Sequence, residues 1–504
     1  MRVDKVVIVG GGASGWMTAS SLIKTFPDLK VTLIEDPNAP SLGVGESTLS
    51  HFNEFLQSIG LTNDKDWMSY CNATYKNGAL LKGFSEHSSE LFFPLGAFNL
   101  QQSPNFHIWC ELNKMYPDEV PCSRAAHFFL PNAFLVDNNK QTDNSDGTFP
   151  NFNFFYDVAY HIDSNKFGEY LKNNVCQDVE KIYAKVLRVY DKELFLSNGQ
   201  VIDADLFVDC SGFKAVLSRS PWTSFGHILM NDSAVVGTIP YTDKENQLTN
   251  KTTATAIDNG WVWEIPLWDR LSVGYCYSKK FRFASDAVEE FNIFCEEKYN
   301  CKPSNAHYIP FESGKRQEAW IGNVVSIGLS YSFIEPLEST GLLTTHESIT
   351  ALVDVLSFRN REINKMDIDG FNYVLDKKVD YFADFIGFHY GFSTRCDSPY
   401  WDHVTNCVRY NGIADNFWDS LIRDHEYHTN GSTFLLAVQN GYNPITEHNY
   451  FRIHKRGCLN DELPRIENNA KEWYNLYNAT LERVNKLPSS YEFLRGTIYN
   501  DQTS

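Results

Sequence analysis

The chain opens on an unbroken apolar run, Val6-Val7-Ile8-Val9, which breaks into Gly10-Gly11-Gly12-Ala13-Ser14-Gly15 and resumes as a helical stretch over residues 16–24. A short apolar run bounded by glycines predicts a buried strand, and the change of period after it predicts a strand–turn–helix unit. A second strand pattern, residues 30–34, ends at Glu35. Residues 52–59 form an amphipathic stretch, and two further buried-strand patterns, 204–213 and 320–329, also break into glycine turns. Strands are expected at 253–263 and 271–276, helices at 367–390, 416–425 and 470–486, and a polar surface loop at 137–148. Elements of one α/β layer therefore occur near both 1–50 and 320–345, which predicts a discontinuous Rossmann-like module with mixed sheets over 1–345. Residues 346–504 are expected to form a mainly helical module that covers the site.

The first glycine turn has the spacing Gly10-x-Gly12-x-x-Gly15. Gly10 permits the tight turn, Gly12 lets the backbone approach a pyrophosphate, and Gly15 allows close packing of helix on strand. Ala13 and Ser14 complete the helix start, whose positive end suits a phosphate. Glu35 stands twenty positions after Gly15, where a carboxylate can accept hydrogen bonds from the ribose of an adenosine. This pattern predicts dinucleotide binding without separating NAD from FAD. A second glycine-rich turn, Gly43-Val44-Gly45-Glu46-Ser47-Thr48, suits a strap lying against a cofactor.

Composition narrows the partners. With 44 basic and 63 acidic residues the formal charge is −19, which repels phosphate backbones and anionic membranes and argues against a nucleic-acid partner. No apolar run approaches the roughly 18 residues of a membrane span, and the glycines after Val9 replace a signal-peptide cleavage site, so a cytoplasmic protein is expected. Eleven scattered cysteines include no CxxC pair, and the closest two are Cys295 and Cys301. Reduced core thiols are expected, with no metal site. The aromatics, 36 Phe, 26 Tyr and 11 Trp, can line an aromatic pocket but are mostly core.

The two later glycine turns carry the first resemblance. Asp209-Cys210-Ser211-Gly212-Phe213 and the Gly328…Pro336…Gly341 spacing resemble segments of single-component aromatic hydroxylases that bind FAD. An Asp of that family is replaced by Ser211, and the Asp that holds its flavin ribityl chain by Leu329. That resemblance implies a flavin site around Gly328 and Leu329 and a flavin reduced elsewhere. Two stretches are more specific: Trp261-Val262-Trp263-Glu264-Ile265-Pro266 and Phe333-Ile334-Glu335-Pro336-Leu337-Glu338-Ser339-Thr340-Gly341. They contain Trp-x-Trp-x-Ile-Pro and Phe-x-x-Pro-x-x-Ser-x-Gly, and the chain resembles the flavin-dependent halogenases, above all the tryptophan halogenases, over roughly residues 1–400.

The resemblance implies an enzyme that takes FADH2 from a separate flavin reductase and uses O2 to oxidise chloride, bromide or iodide to hypohalous acid. The oxidant then halogenates a small electron-rich aromatic. It implies Trp261 and Trp263 near the flavin, halide on the amides at Ser339, Thr340 and Gly341, Lys76 delivering the oxidant, and Glu338 assisting as a carboxylate. On first principles alone the 339–341 turn, leading into a helix, is an anion site. Taken alone, Trp261 and Trp263 read as alternate aromatics on an edge strand. Only the aromatic–Lys pair of the family's lysine motif is kept, since Asn77-Gly78 follows Lys76.

The substrate end departs from the family. Phe93-Pro94-Leu95-Gly96 replaces a His-x-Phe-Gly run, and Gly441-Tyr442-Asn443-Pro444 with Glu447 lacks adjacent tyrosines. An indole, phenol or other arene is expected as readily as free tryptophan. His389, Tyr390 and Trp401 read as core. The alternative reading is an FAD-dependent aromatic hydroxylase or epoxidase, against which the 211 and 329 replacements weigh, and the non-enzyme alternative is a flavin-binding relative. Lys76→Ala should abolish halogenation, and Glu338→Gln should lower it by orders of magnitude, both with FAD affinity retained in a spectroscopic titration; retained turnover removes the residue from the mechanism.

Overall fold

Two sheets carry the architecture of the computed structural model, which describes residues 1–39, 45–96, 109, 112–149, 151–190, 192–410, 431–441 and 459–500. Gly43 and Val44, the expected helix at 416–425, and Tyr442, Asn443, Pro444 and Glu447 lie outside the described residues.

The first sheet has six strands in the order Trp320–Ile321, Val324–Ser326, Leu206–Asp209, Lys5–Val9, Lys30–Glu35, Glu180–Tyr183. All neighbours pair parallel except the first two. A parallel strand is covered on both faces, so Val6, Val7 and Ile8 are all fully buried, which is why this strand reads as a continuous apolar run. The Ala13–Thr25 helix follows it. Gly10 has φ +126°, and a Cβ there would stand 2.2 Å from the Cys210 carbonyl oxygen. A Cβ on Gly15 would stand 1.9 Å from the Gly10 carbonyl oxygen, so helix and turn meet only because both positions lack side chains.

The second sheet has seven strands, in the order Ser304–Pro310, Ser233–Ile239, Leu271–Tyr277, Gly260–Pro266, Lys251–Ile257, Gly78–Lys82, Glu90–Pro94. The expected strand at 253–263 is two strands, Lys251–Ile257 and Gly260–Pro266, paired antiparallel with Ala256 opposite Trp261. The apolar pattern ran through the turn because Asp258 and Asn259 are the only break, and Asn-Gly is a preferred hairpin signal. The Trp261 strand lies inside the sheet between two partners, which corrects the edge-strand reading.

A small antiparallel sheet, Gly45–Ser47, Ala159–Asp163 and Thr74–Lys76, positions the lysine. The chain leaves this sheet after Lys76 and joins the seven-stranded one at Gly78, so Asn77 is the crossing point. Its backbone is fixed there: its N–H donates to the Asn250 carbonyl (2.7 Å), and its carbonyl accepts from Leu95 N–H (2.7 Å) and Asn132 Nδ2 (3.0 Å). The C-terminal part braces the same strand. Trp268 stacks on Tyr499 at 3.9 Å, and Tyr499 Oη donates to the Ala73 carbonyl at 2.8 Å.

The long helices Thr340–Phe358 and Lys365–Gly391 follow the Glu338 turn. The second starts on a capping box between Asn364 and Asp367. The Leu459–Asn485 helix contains the stretch expected at 470–486. The polar segment at 137–148 is less exposed than its composition suggested. Gln141 is fully buried because residues 487–488 lie over it, with Gln141 N–H donating to the Pro488 carbonyl (3.1 Å) and Lys140 Nζ to that of Leu487 (2.9 Å).

Gly15→Ala should cost about 2 kcal/mol or more through the clash with the Gly10 carbonyl. Gly12→Ala, whose Cβ would meet nothing within 4 Å, should cost under about 1 kcal/mol. Urea unfolding of the two variants measures the difference, and equal stabilities would refute the packing role of Gly15.

Candidate active site

The glycine fingerprint ends in a vacant-sided helix start. Gly12 is the N-cap of the Ala13–Thr25 helix and has no side-chain cap, so backbone N–H groups face the open space beside it. Ser14 carries the contact to the second glycine turn: a Cβ on Gly328, at φ +68°, would stand 2.6 Å from Ser14 Oγ. Leu329 is half-buried on the same short turn, and the neighbouring Ser330 Oγ donates to Asp209 Oδ1 at 3.1 Å. Asp209 also accepts from Ser211 Oγ (2.5 Å) and from the N–H groups of Ser211 (3.0 Å), Leu217 (2.7 Å) and Ser218 (3.0 Å). One buried carboxylate thus locks the 209–213 turn onto the 328–330 turn. Glu35 lies half-buried against Gly11, with Oε2 2.8 Å from Lys172 Nζ. Glu46 reaches the far end of the site: its Oε2 lies 3.9 Å from where a Gly341 Cβ would be. Burial pushes the Glu46 carboxyl above its ordinary value, against a hydrogen bond from Ser164. These residues fit a dinucleotide laid from Gly12 towards Gly341.

Lys76 is 1% exposed. Its Nζ donates to the Thr48 carbonyl at 3.0 Å and to Ser339 Oγ at 2.9 Å. Burial drives the amine down to about 8, against the opposing pull of the Glu338 charge. At pH 7 about a tenth of the lysine is then free amine. The sheet beneath it is tied by a directed chain of hydroxyls. Thr74 Oγ1 donates to the Pro266 carbonyl (2.6 Å), so it must accept from His161 Nδ1–H (3.1 Å); His161 Nε2 then accepts from Thr252 (3.0 Å), and Thr252 from Ser47 (2.8 Å). Burial, with the Lys76 charge, holds His161 well below its ordinary value, so this imidazole is neutral.

The turn that Lys76 grips has the features of an anion site. Ser339 is a non-glycine residue in the left-handed region, φ 62° and ψ 33°, a conformation that persists only where surroundings impose it. It is the N-cap of the Thr340–Phe358 helix and supplies no cap of its own. The N–H groups of Thr340 and Gly341 find no acceptor among the described residues, and the buried Thr340 Oγ1 is also without a partner. Three donors without a partner thus lie on two adjacent residues.

The helix Lys365–Gly391 holds the carboxylates on either side of Pro336 and Leu337. His389 Nε2 lies 3.0 Å from Glu338 Oε1, and His389 Nδ1 lies 2.9 Å from the Phe385 carbonyl. The next residue, Tyr390, donates its hydroxyl to Glu335 Oε1 in a very short hydrogen bond. Tyr390 Oη in turn accepts from Trp261 Nε1 (2.9 Å) and Asn231 Nδ2 (2.9 Å). Glu335 is fully buried, which pushes its carboxyl up to about 7 against the pull of these hydrogen bonds. Phe93 packs on His389 with ring centroids 5.6 Å apart.

Comparisons with known proteins identify the family. Residues 5–425 match the tryptophan halogenase family. Tryptophan 7-halogenase RebH of Lentzea aerocolonigenes is 32% identical over 430 residues, 79% of this chain and 78% of its own length. The solved apo structure of VirX1 superposes with a TM-score of 0.91 at 37% identity, covering 99% of this chain and 100% of the other. Tryptophan 6-halogenase SttH of Streptomyces toxytricini superposes with a TM-score of 0.84 at 28% identity, covering 97% and 99%. BrvH, a flavin-dependent halogenase from Brevundimonas sp. BAL3, gives 0.84 at 25% identity, covering 98% and 99%. Fold and relatives together define a flavin-dependent halogenase. More narrowly, the chain belongs to the tryptophan halogenase family.

Of the residues singled out in the sequence, the structure brings Lys76, Glu338, Ser339, Thr340, Gly341 and Glu46 to one place, and Gly10, Gly12, Ala13, Ser14, Gly15, Glu35, Gly328 and Leu329 to the adjoining cradle. Gly45 lies on the strap, its N–H donating to Ser272 Oγ at 3.1 Å. Pro336 opens the Glu338 turn. Trp261 and Trp263 stand 6.0 Å apart on the central strand. His389, read from sequence as core, belongs to the site: it lies 51 positions from Glu338, and no local spacing links them. Asn231 was likewise without a signal of its own.

Reductive ¹³C-methylation followed by NMR should give a Lys76 resonance that titrates near 8, absent in Lys76→Arg. Because the Glu338 charge raises this value, Glu338→Gln should move the midpoint lower. A midpoint near the ordinary lysine value of about 10.4 would show that the amine is not desolvated.

Proposed function

We propose that the chain halogenates an electron-rich arene, an indole, a phenol or a similar ring, with FADH2 from a separate flavin reductase, O2 and a halide ion. The observation that carries this reading is the buried Lys76 amine hydrogen-bonded to the strained Ser339 turn beside Glu338. When bound, FADH2 and O2 supply the two-electron oxidation of halide to hypohalous acid. Gly12, Ala13, Ser14, Gly328 and Leu329 would hold the flavin nucleotide, with Glu35 at its ribose and Glu46 near its other end. The free donors at Thr340 and Gly341, backed by the positive end of their helix, would hold the halide.

Lys76 sits where it can receive hypohalous acid. As ammonium it donates a hydrogen bond to the oxidant; as free amine it can attack the halogen, forming an N–halogen bond as the O–halogen bond breaks and the amine proton leaves with the hydroxide as water. Its burial keeps both forms accessible near neutral pH. The amine is desolvated, which excludes competing water. Glu338 lies beside it and can stabilise the cationic ring formed on halogen transfer and then accept its proton. The ring C–H bond breaks, its electron pair restores the aromatic system, and the proton passes to the carboxylate. Phe93, in place of the family's histidine, presents an apolar ring at the His389 side, which favours a less polar arene than free tryptophan. Among the described residues no helix is long and apolar enough to cross a membrane, and a cytoplasmic setting suits an enzyme fed by a reductase.

Mass spectrometry of an arene panel incubated with the protein, a purified flavin reductase, NADH, FAD and each halide in turn tests this. Halogenated product should require both reductase and halide. NADPH consumption by the protein alone, with a hydroxylated product, would establish the hydroxylase reading instead.

A further inference from the structure

We propose that His389 is a positioning residue of the halogenation site: protonated on both ring nitrogens, it holds Glu338 as a carboxylate with Oε2 left free. The inference rests on the reading of Glu338 as the carboxylate of that reaction. The protons follow from the acceptors. Nδ1 lies 2.9 Å from the Phe385 carbonyl, which can only accept, so Nδ1 carries hydrogen. In a neutral imidazole Nε2 would then present a lone pair to Glu338 Oε1 at 3.0 Å, lone pair against lone pair. One proton must lie between them. The contact is a charge-assisted N–H···O bond from the ring to the carboxylate, with that proton on the ring.

The surroundings favour the same assignment. Phe385, one helical turn back, packs nearly perpendicular to the ring with centroids 5.0 Å apart, and Phe93 lies at 5.6 Å; neither offers a competing hydrogen-bond acceptor. The titratable groups around it are few. Glu338 faces it from the turn, Lys76 acts on the same carboxylate from the Thr74–Lys76 strand, and Tyr390 on its own helix is turned to Glu335. The Phe93 strand contributes no charge at this contact. Two cationic groups therefore bracket one carboxylate, and Glu46, beside Gly341, is the further carboxyl of the site. Glu338 makes no hydrogen bond through Oε2 among the described residues, so that oxygen remains to take the ring proton.

The helix sets this geometry. His389 and Tyr390 are consecutive, about 100° apart around the axis, so one turn of helix addresses Glu338 and Glu335 at once. Rotating the imidazole away would leave a buried carboxylate with Lys76 as its one cation and Oε1 without its hydrogen bond.

The test joins a resting-state measurement to kinetics. In ¹⁵N-histidine-labelled protein, both His389 nitrogens, assigned by their loss in His389→Gln, should resonate as protonated nitrogens. In Glu338→Gln, Nε2 should move to the unprotonated range. Glutamine at 389 can hold a hydrogen bond but no charge, so His389→Gln should slow halogenation about tenfold to a hundredfold, with FAD affinity unchanged. His389→Ala should be slower than His389→Gln. An unprotonated Nε2 in the wild-type protein, or wild-type turnover in His389→Gln, overturns the proposal. Absence of halogenation in the wild-type protein would overturn the proposed function alone, since the nitrogen spectra are read without turnover.

Discussion

Burying an amine sets the terms for everything around Lys76. An ammonium taken out of water loses several kcal/mol of hydration, and a protein keeps it only where acceptors and an opposite charge replace part of that loss. Here the replacements are the Thr48 carbonyl, the Ser339 hydroxyl and the charge of Glu338. Each makes a further demand. Ser339 reaches the amine from a left-handed backbone conformation that must be held from outside. Glu338, also buried, needs a partner of its own, and the helix Lys365–Gly391 brings His389 to it. Breaking any one contact would leave an uncompensated buried charge, so lysine, turn and helix act as one unit.

The same unit is referenced to the nucleotide cradle. The Thr340–Phe358 helix packs on the Ala13–Thr25 helix, and the start of each is free of side-chain caps. Gly328 closes the gap between them: any side chain there would run into Ser14 Oγ, and Thr345 Oγ1 lies only 3.4 Å from the same point. The two helix starts are therefore held at a fixed distance by close packing of the Gly328 backbone on the short side chains of Ser14 and Thr345. A flavin on one and a halide on the other would meet at a separation that loop motion cannot easily change.

The sequence made the local features legible and left the distant ones dark. The Gly10–Gly15 turn could be read because each glycine answers to an atom a few residues away, as the 1.9 Å approach of a Gly15 Cβ to the Gly10 carbonyl shows. The 335–341 turn could be read because its chemistry is contained in seven consecutive residues. Its supports could not. His389 and Asn231 reach it through tertiary contacts, and their identities fit an ordinary core equally well. The strand at 253–263 was misread because a two-residue hairpin leaves apolar alternation nearly intact. Gln141 looked exposed because a polar side chain says nothing about the residues that later fold over it.

The tryptophan pair shows how far a motif can be legible while its work is not. As alternate residues on a strand, Trp261 and Trp263 face the same way, and the pattern alone suggested an edge with aromatics to spare. On a central strand each ring has a specific neighbour. Trp263 lies over Gly274, directly across the ladder, where any Cβ would come within 2.1 Å of the indole; the pairing exists because that partner is glycine. Trp261 is fully buried, and its N–H is spent on Tyr390 Oη, which passes its own proton towards Glu335. That indole N–H therefore favours the ionised form of a carboxyl that burial has pushed up to about 7. Glu335 is the residue from which the Pro336–Glu338 turn springs. The first tryptophan of the motif thus acts on the Ser339 turn through a phenol and a carboxylate.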